Sequence, residues 1–264
     1  SWTAADIVSA SYRATSADYA FSVFAADMDN DGDMDIVSAS QDDDAIAWYE
    51  NDGAANPSWS AVDIATSADG ATSVFVADMD KDGDMDIVST SDLDDAIAIY
   101  INDGAADPSW SASDVATSAD GARSVFAADL DNDGDIDLVS ASANDNAIAW
   151  YENTTSTAFE PSFAAADIST SANNARSVFA ADVDSDGDMD LLSASSDDDK
   201  IAWYENNGSE SFTAHTITTS ANGAWSGYAV DVDRTMAEEV PGYSPRTRRG
   251  GREGRRMSWD QENG

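Results

Sequence analysis

The sequence predicts an all-β fold, a β-propeller of four-stranded blades, on three observations. A near-identical string returns about every 50 residues, each copy holds four short β-prone segments, and helical periodicity is absent throughout. The string is "DMDNDGDMDIVSAS" at Asp27; its equivalents start at Asp78, Asp129 and Asp182, spaced by 51, 51 and 53 residues, and a broken fifth copy starts at Asp231. The longer third spacing falls between Asn153 and Pro161, a linker where insertion is tolerated.

Within one copy the first predicted strand is "SVFAADMD". Its alanine pairs (Ala25-Ala26, Ala127-Ala128, Ala180-Ala181) suit a crowded position near a central axis. The second is "MDIVSAS", reached through the acidic loop. The third is "AIAWYEN" at Ala45, repeated as "AIAIYIN" at Ala96, "AIAWYEN" at Ala147 and "KIAWYEN" at Lys200. Alternation puts Ile46, Trp48 and Glu50 on one face and Ala47, Tyr49 and Asn51 on the other. Trp48, Trp150 and Trp203 read as inter-blade core, because Ile99 stands in the second copy, and an aliphatic residue packs where it cannot stack on sugar. The fourth strand is "WSAVDIATS", with counterparts at Trp110, Phe163 and Phe212. Residues 1–233 therefore form the repeat domain: four complete blades and a partial fifth, as a small ring or an open arc. "SWTAADIV" at the start supplies a candidate outer strand for the incomplete blade.

Composition narrows the function. Against 52 acidic residues stand 12 basic ones, a formal charge of -40, so the compact state needs cations or screening. Up to residue 233 only Arg13, Lys81, Arg123, Arg176 and Lys200 are basic, which excludes a nucleic-acid partner for the main body. Cysteine is absent, removing disulfides and thiolate metal sites. No apolar run is long enough for a membrane span, and the start carries neither Met nor secretion-signal features, so we expect a mature or truncated fragment. Residues 234–264 hold seven basic residues and break off in mid-loop. This basic tail reads as disordered, and a changed reading frame or a mispredicted gene end explains it more simply than an Arg-Gly segment binding RNA.

The acidic loop carries the chemistry. In Asp27-Met28-Asp29-Asn30-Asp31-Gly32-Asp33-Met34-Asp35, the side chains at positions one, three, five and nine can converge while the carbonyl of position seven adds an oxygen and Gly32 permits the turn. That is the ligand logic of a calcium loop, although Ser38 stands where a twelfth-position Glu would complete an EF-hand. Two carboxylates about 4 Å apart repel by roughly 4 kcal/mol at an effective dielectric near 20, so an unfilled cluster opens. The candidate metal residues are Asp27, Asp29, Asp31, Asp33 and Asp35; Asp78, Asp80, Asp82, Asp84 and Asp86; Asp129, Asp131, Asp133, Asp135 and Asp137; and Asp182, Asp184, Asp186, Asp188 and Asp190. Calcium fits a flexible all-oxygen loop better than magnesium, and four ions are expected, one per complete repeat.

The combination of "VFAADMDNDGDMDIVSAS" with "AIAWYEN" resembles the FG-GAP or VCBS-type repeats of β-propellers, which include integrin α-subunit heads. The resemblance implies that Asp27, Asp29, Asp31, Asp35 and their counterparts ligate calcium, and that the protein is extracellular or on a cell surface. The sequence lacks the Phe-Gly and Gly-Ala-Pro elements of the family, so integrin-like recognition does not carry over. Catalysis is not expected. His215 is the only histidine, matching Val62 and Ala166 of other copies, and the aspartates recur with the fold instead of gathering at one site. An adhesion or protein-interaction module is the first expectation, a carbohydrate-binding propeller the second, and a non-binding spacer the third. The sequons at Asn153 and Asn207 are compatible with secretion.

Overall fold

A computed structural model describes residues 17–155 and 161–230. The N-terminal "SWTAADIV" segment, the fifth acidic loop and the basic tail lie outside the described residues. The chain divides into two compact units, 1–229 and 230–264, and of the second only the exposed Val230 is described.

Sixteen strands make four antiparallel sheets in sequence order. The first contains β1 (Ala20–Ala26), β2 (Asp35–Ser40), β3 (Ala45–Asn51) and β4 (Trp59–Ala65). The second contains β5 (Ala71–Ala77), β6 (Asp86–Ser91), β7 (Ala96–Asn102) and β8 (Trp110–Ala116). The third is built from β9 (Ala122–Ala128), β10 (Asp137–Ser142), β11 (Ala147–Asn153) and β12 (Phe163–Ser169), and the fourth from β13 (Ala175–Ala181), β14 (Asp190–Ser195), β15 (Lys200–Asn206) and β16 (Phe212–Thr218). Each sheet is a plain up-and-down meander, so every blade is local in sequence. Registers repeat across blades: Val37 opposes Trp48 and Trp48 opposes Val62, as Val139 opposes Trp150 and Trp150 opposes Ala166.

The cores lie between blades. Val37, Ala39, Ile46 and Trp48 of the first blade pack on Ala71, Val74, Val76, Ile87 and Tyr100 of the second. The same exchange joins the second blade to the third and the third to the fourth. Trp48 and Trp150 are buried there, and Ile99 fills the equivalent place in the second blade, as the sequence predicts. Burying faces of this kind is what keeps a small sheet folded, since one four-stranded blade has no core of its own.

The first strand of each blade packs against its counterpart in the next, and together these strands line the inner edge. The alanine pairs end those strands, but the inner edge also accepts large rings. Phe24, Phe75, Phe126, Phe179 and Tyr228 form a ladder with centroids 4.9, 4.8 and 5.1 Å apart at most steps and 4.7 Å between Phe75 and Phe126. Tilted stacking lets one aromatic per blade share the edge where face-to-face crowding would not. Tyr228 belongs to the fifth copy. Gly227 N–H donates to Ser177 Oγ at 3.0 Å, repeating the bonds of Val74 to Ser22, Val125 to Ser73 and Val178 to Ser124. The fifth blade thus begins in register. Among the described residues the fourth sheet does not pack back on the first, and the four blades form an open arc.

Candidate metal centre

Each acidic loop connects the first two strands of a blade, and its shape follows from its sequence. The residue at position four has a left-handed backbone, with φ of 60° at Asn30, 63° at Lys81, 63° at Asn132 and 66° at Ser185. At position six Gly32, Gly83, Gly134 and Gly187 have φ between 90° and 102°, a region L side chains rarely enter. Side chains close the loop: Asp27 Oδ2 accepts from Gly32 N–H at 3.0 Å, Asp29 Oδ1 from Asp31 N–H at 3.2 Å, and Asp31 Oδ1 from Asp33 N–H at 2.9 Å.

Position nine is the anchor. The Asp35 carboxylate accepts from Met28 N–H at 3.1 Å and from Asn51 N–H at 2.8 Å, tying the loop to β3. Asp86, Asp137 and Asp190 repeat both bonds with Met79 and Asn102, Leu130 and Asn153, and Val183 and Asn206. All four carboxylates are buried. Burial pushes Asp86 up to about 7 and Asp137 up to about 6, against the pull of those N–H donors.

In every blade the carboxylates at positions one, three and nine converge, with ligand atoms within 4.8 Å of one another: Asp27, Asp29 and Asp35; Asp78, Asp80 and Asp86; Asp129, Asp131 and Asp137; Asp182, Asp184 and Asp190. Burial and then neighbouring carboxylates raise Asp29, Asp80, Asp131 and Asp184 above the ordinary range. Asp27 Oδ1, Asp78 Oδ1, Asp129 Oδ1 and Asp80 Oδ2 are buried without a hydrogen-bond partner. Buried anionic oxygens that face each other unpartnered are what an oxygen-binding cation would satisfy, so the residues fit a metal ion.

Other predicted ligands sit differently. The position-five carboxylates of Asp31, Asp82, Asp133 and Asp186 cap the backbone N–H of position seven. Those of position seven reach across blades: Asn30 Nδ2 donates to Asp84 at 2.6 Å, Asn132 Nδ2 to Asp188 at 2.8 Å, and Lys81 pairs with Asp135. Asp33 has no described blade before it and lies against Gly53.

Two participants went unassigned in the sequence. The Asn that ends each third strand is a bridge: Asn102 Nδ2 donates to Met28 O at 2.8 Å and Met85 O at 3.2 Å, and Asn153 and Asn206 bind the preceding loop likewise. Its recurrence in "YEN" and "YIN" was the available signal. Asn153 is therefore buried with its amide engaged on Met79 O and Ile136 O, which removes one sequon as a glycosylation site, whereas Asn207 is exposed. Glu50 and Glu152 stand beside the triads, raised by burial and then by neighbouring carboxylates, Asp29 first for Glu50; Ile101 replaces them in the second blade. His215 stacks on Trp203 at 4.7 Å and its Nε2 lies 2.7 Å from Glu205, a strand pair at the open end of the arc.

The chain matches the FG-GAP-like repeat at 27–89, 78–140, 129–193 and 182–235. No curated protein matches. Among solved structures it is similar to an Agrocybe aegerita lectin described as recognising non-reducing terminal N-acetylglucosamine, with a TM-score of 0.52 and 19% identity over 76% of this chain and 52% of that one. An Aleuria aurantia fungal lectin, described as a six-bladed β-propeller recognising fucose, gives 0.45 and 12% over 77% of this chain and 64% of that one. The V. cholerae biofilm matrix protein Bap1 gives 0.31 and 18% over 71% and 37%. The chain spans about half the length of the first of these. At such identities the Agrocybe likeness is one of fold.

Proposed function

The chain belongs to the FG-GAP-like repeat family, and from that premise we propose that it is a calcium-clamped, extracellular binding module that engages a protein ligand and performs no catalysis. The observation that carries this reading is the fourfold recurrence of a converging aspartate triad, with buried carboxylate oxygens left unpartnered in three of the four copies. The residues that would hold calcium are Asp27, Asp29, Asp35 and their equivalents, with Glu50, Glu152 and Glu205 close by. When bound, calcium would supply charge neutralisation and nothing reactive. The protein's own part is to hold the loops: position nine ties each loop to the third strand, and the strand-ending Asn ties it to the next blade.

Two further observations support binding over catalysis and an extracellular setting. The titratable groups recur with the fold, while His215 is occupied by Trp203 and Glu205. Ser38 in place of a bidentate Glu removes a strong ligand, which suits the millimolar calcium found outside cells. Carbohydrate binding loses the residues that suggested it, since Trp48 and Trp150 are buried between blades.

Equilibrium dialysis should give four equivalents of calcium, one per triad. Binding to immobilised cell-surface protein should then appear with calcium and vanish with chelator. Absence of calcium uptake by the folded chain would sink the proposal, and calcium-dependent signals on a glycan array would replace the protein ligand with a carbohydrate.

A further inference from the structure

Away from the acidic loops, near the turns that join second and third strands, the blade interfaces carry a second recurring feature. Between the first and second blades lies an open cleft of about 450 Å³, and between the second and third its equivalent of about 200 Å³. The first is lined by Ser67, Asp94, Ala96, Ala98, Tyr100 and Asp114, and the second by the matching Ser118, Asp145, Ala147, Ala149, Tyr151 and Asp167. In each, two carboxylates face one tyrosine: Asp114 and Asp94 both act on the Tyr100 hydroxyl, and Asp145 and Asp167 on that of Tyr151. The floor is alanine, so nothing in the chain meets that charge.

The third interface differs in one decisive way. Where the first two clefts have Ala96 and Ala147, it has Lys200. The Lys200 ammonium donates to Ser171 O at 2.9 Å and pairs with Asp198 at 3.0 Å. Ser171 is the counterpart of Ser67 and Ser118, and Asp198 of Asp94 and Asp145. The second carboxylate has become Thr216, which opposes Ala202 in the register that Asp114 and Asp167 hold against Ala98 and Ala149. Where the chain supplies its own ammonium the cleft is neutral; where it supplies none the cleft keeps two negative charges. The titrations agree: burial holds Asp94 and Asp145 above the ordinary carboxylate range, while for Asp198 the Ser195 hydroxyl and the Lys200 ammonium outweigh burial and hold it below.

We propose that the two lysine-free clefts are binding sites for a primary ammonium group, received between a turn carboxylate (Asp94 or Asp145), a carboxylate on the outer strand (Asp114 or Asp167) and the backbone of the inter-blade connection, as Lys200 is received in the third. A primary ammonium brings three donors and one charge, which matches carboxylate plus carbonyl better than a quaternary ammonium can. A lysine side chain of a protein ligand and a free diamine share this chemistry. The site is separate from the acidic loops and does not rest on their filling.

The test is calorimetric titration of the full chain in excess calcium chloride, which occupies the acidic loops and screens general surface charge. The probes are 1,4-diaminobutane, a capped Gly-Lys-Gly peptide, and tetramethylammonium as control. Two equivalents of the primary amines and none of tetramethylammonium are expected. The double variant Ala96→Lys with Ala147→Lys should lower uptake at least tenfold while raising the unfolding temperature, because each new lysine copies Lys200. Conversely, Lys200→Ala with Thr216→Asp should add a third equivalent. Asp94→Asn with Asp145→Asn, checked for folding by circular dichroism, should weaken uptake at least tenfold. Tighter binding of the peptide would identify a protein ligand as the source, and tighter binding of the diamine a small molecule. Uptake that tetramethylammonium matches, or that survives the Ala→Lys double variant, would show counterion accumulation on an acidic surface and overturn the proposal.

Discussion

The third and fourth acidic loops have nearly the same sequence and quite different surroundings. At position two of the third loop Leu130 is 2% exposed beneath the fourth blade, and Asn206 Nδ2 holds its carbonyl at 2.7 Å. At the same position of the fourth loop Val183 is 41% exposed. Asp129 and Asp131 are half-buried, whereas Asp182 and Asp184 are exposed. The difference lies in the following blade, complete after the third and begun only by its inner strand after the fourth. The loop supplies the ligands, but its neighbour supplies the burial and the clamp. A metal centre of this kind is a property of an interface between repeats.

The sharpest way to break the comparison is through the tryptophans. Trp150 is 5% exposed within the core between the third and fourth blades, while Trp203 sits half-buried against His215. Trp150→Ala should cost about 3–5 kcal/mol, as buried aromatic truncations do. Trp203→Ala should cost much less, since solvent already reaches its ring. Denaturant unfolding of the two variants measures both, and equal losses would mean that the fourth blade is covered as fully as the third.

A smaller effect is expected from the bridging asparagines. Asn153 Nδ2 bonds Met79 O in the preceding blade at 3.1 Å as well as Ile136 O in its own, whereas Asn51 Nδ2 reaches only Met34 O. Asn153→Ala strands buried carbonyls and should cost about 1–3 kcal/mol; Asn51→Ala, at a half-exposed site, should cost well under that. Calcium should follow the same order. Three ions should resist a chelator that removes the fourth first, because the exposed Asp182 and Asp184 lack the cover of the other triads. Dialysis at stepped chelator concentrations with each of Asp78→Asn, Asp129→Asn and Asp182→Asn should show the easily lost equivalent disappear only in the last.

Much of this was legible because the blades are local. A period near 50, alternating β-branched and aromatic residues and a fixed Gly specify the meander without any long-range contact, and the Ile99 substitution marks the tryptophan series as core. The roles of Asp33, Asp84, Asp135 and Asp188 were not legible. Position seven belongs to the loop in sequence, but its partner stands about 50 residues earlier, as Asn30 does for Asp84. Asn102 escaped for the same reason: its amide serves a carbonyl 74 residues away. Within-repeat spacing reports what one blade does alone and is silent on what it does for the next. Nor could periodicity show that Lys200, one unit of a conserved-looking strand, fills a cleft that alanine leaves open.

The smallest expected effect concerns Lys81, which stands where the first and third loops have Asn30 and Asn132. All three face the position-seven carboxylate of the next blade, the amides by hydrogen bonds and Lys81 by an ion pair with Asp135. The pair is solvent-exposed, with the Lys81 side chain 50% accessible, so screening and side-chain entropy leave it little net strength. Lys81 also adopts φ of 63°, which Asn tolerates better than Lys. The two terms oppose each other. Lys81→Asn should therefore shift stability by less than about 1 kcal/mol, toward stabilisation at high salt, where the ion pair is screened but the backbone preference persists. Thermal unfolding of the variant at low and high salt decides it. A loss that grows with salt would mean that Lys81 acts through packing on Gly134, whose position lies 3.8 Å from its ammonium, and not through charge.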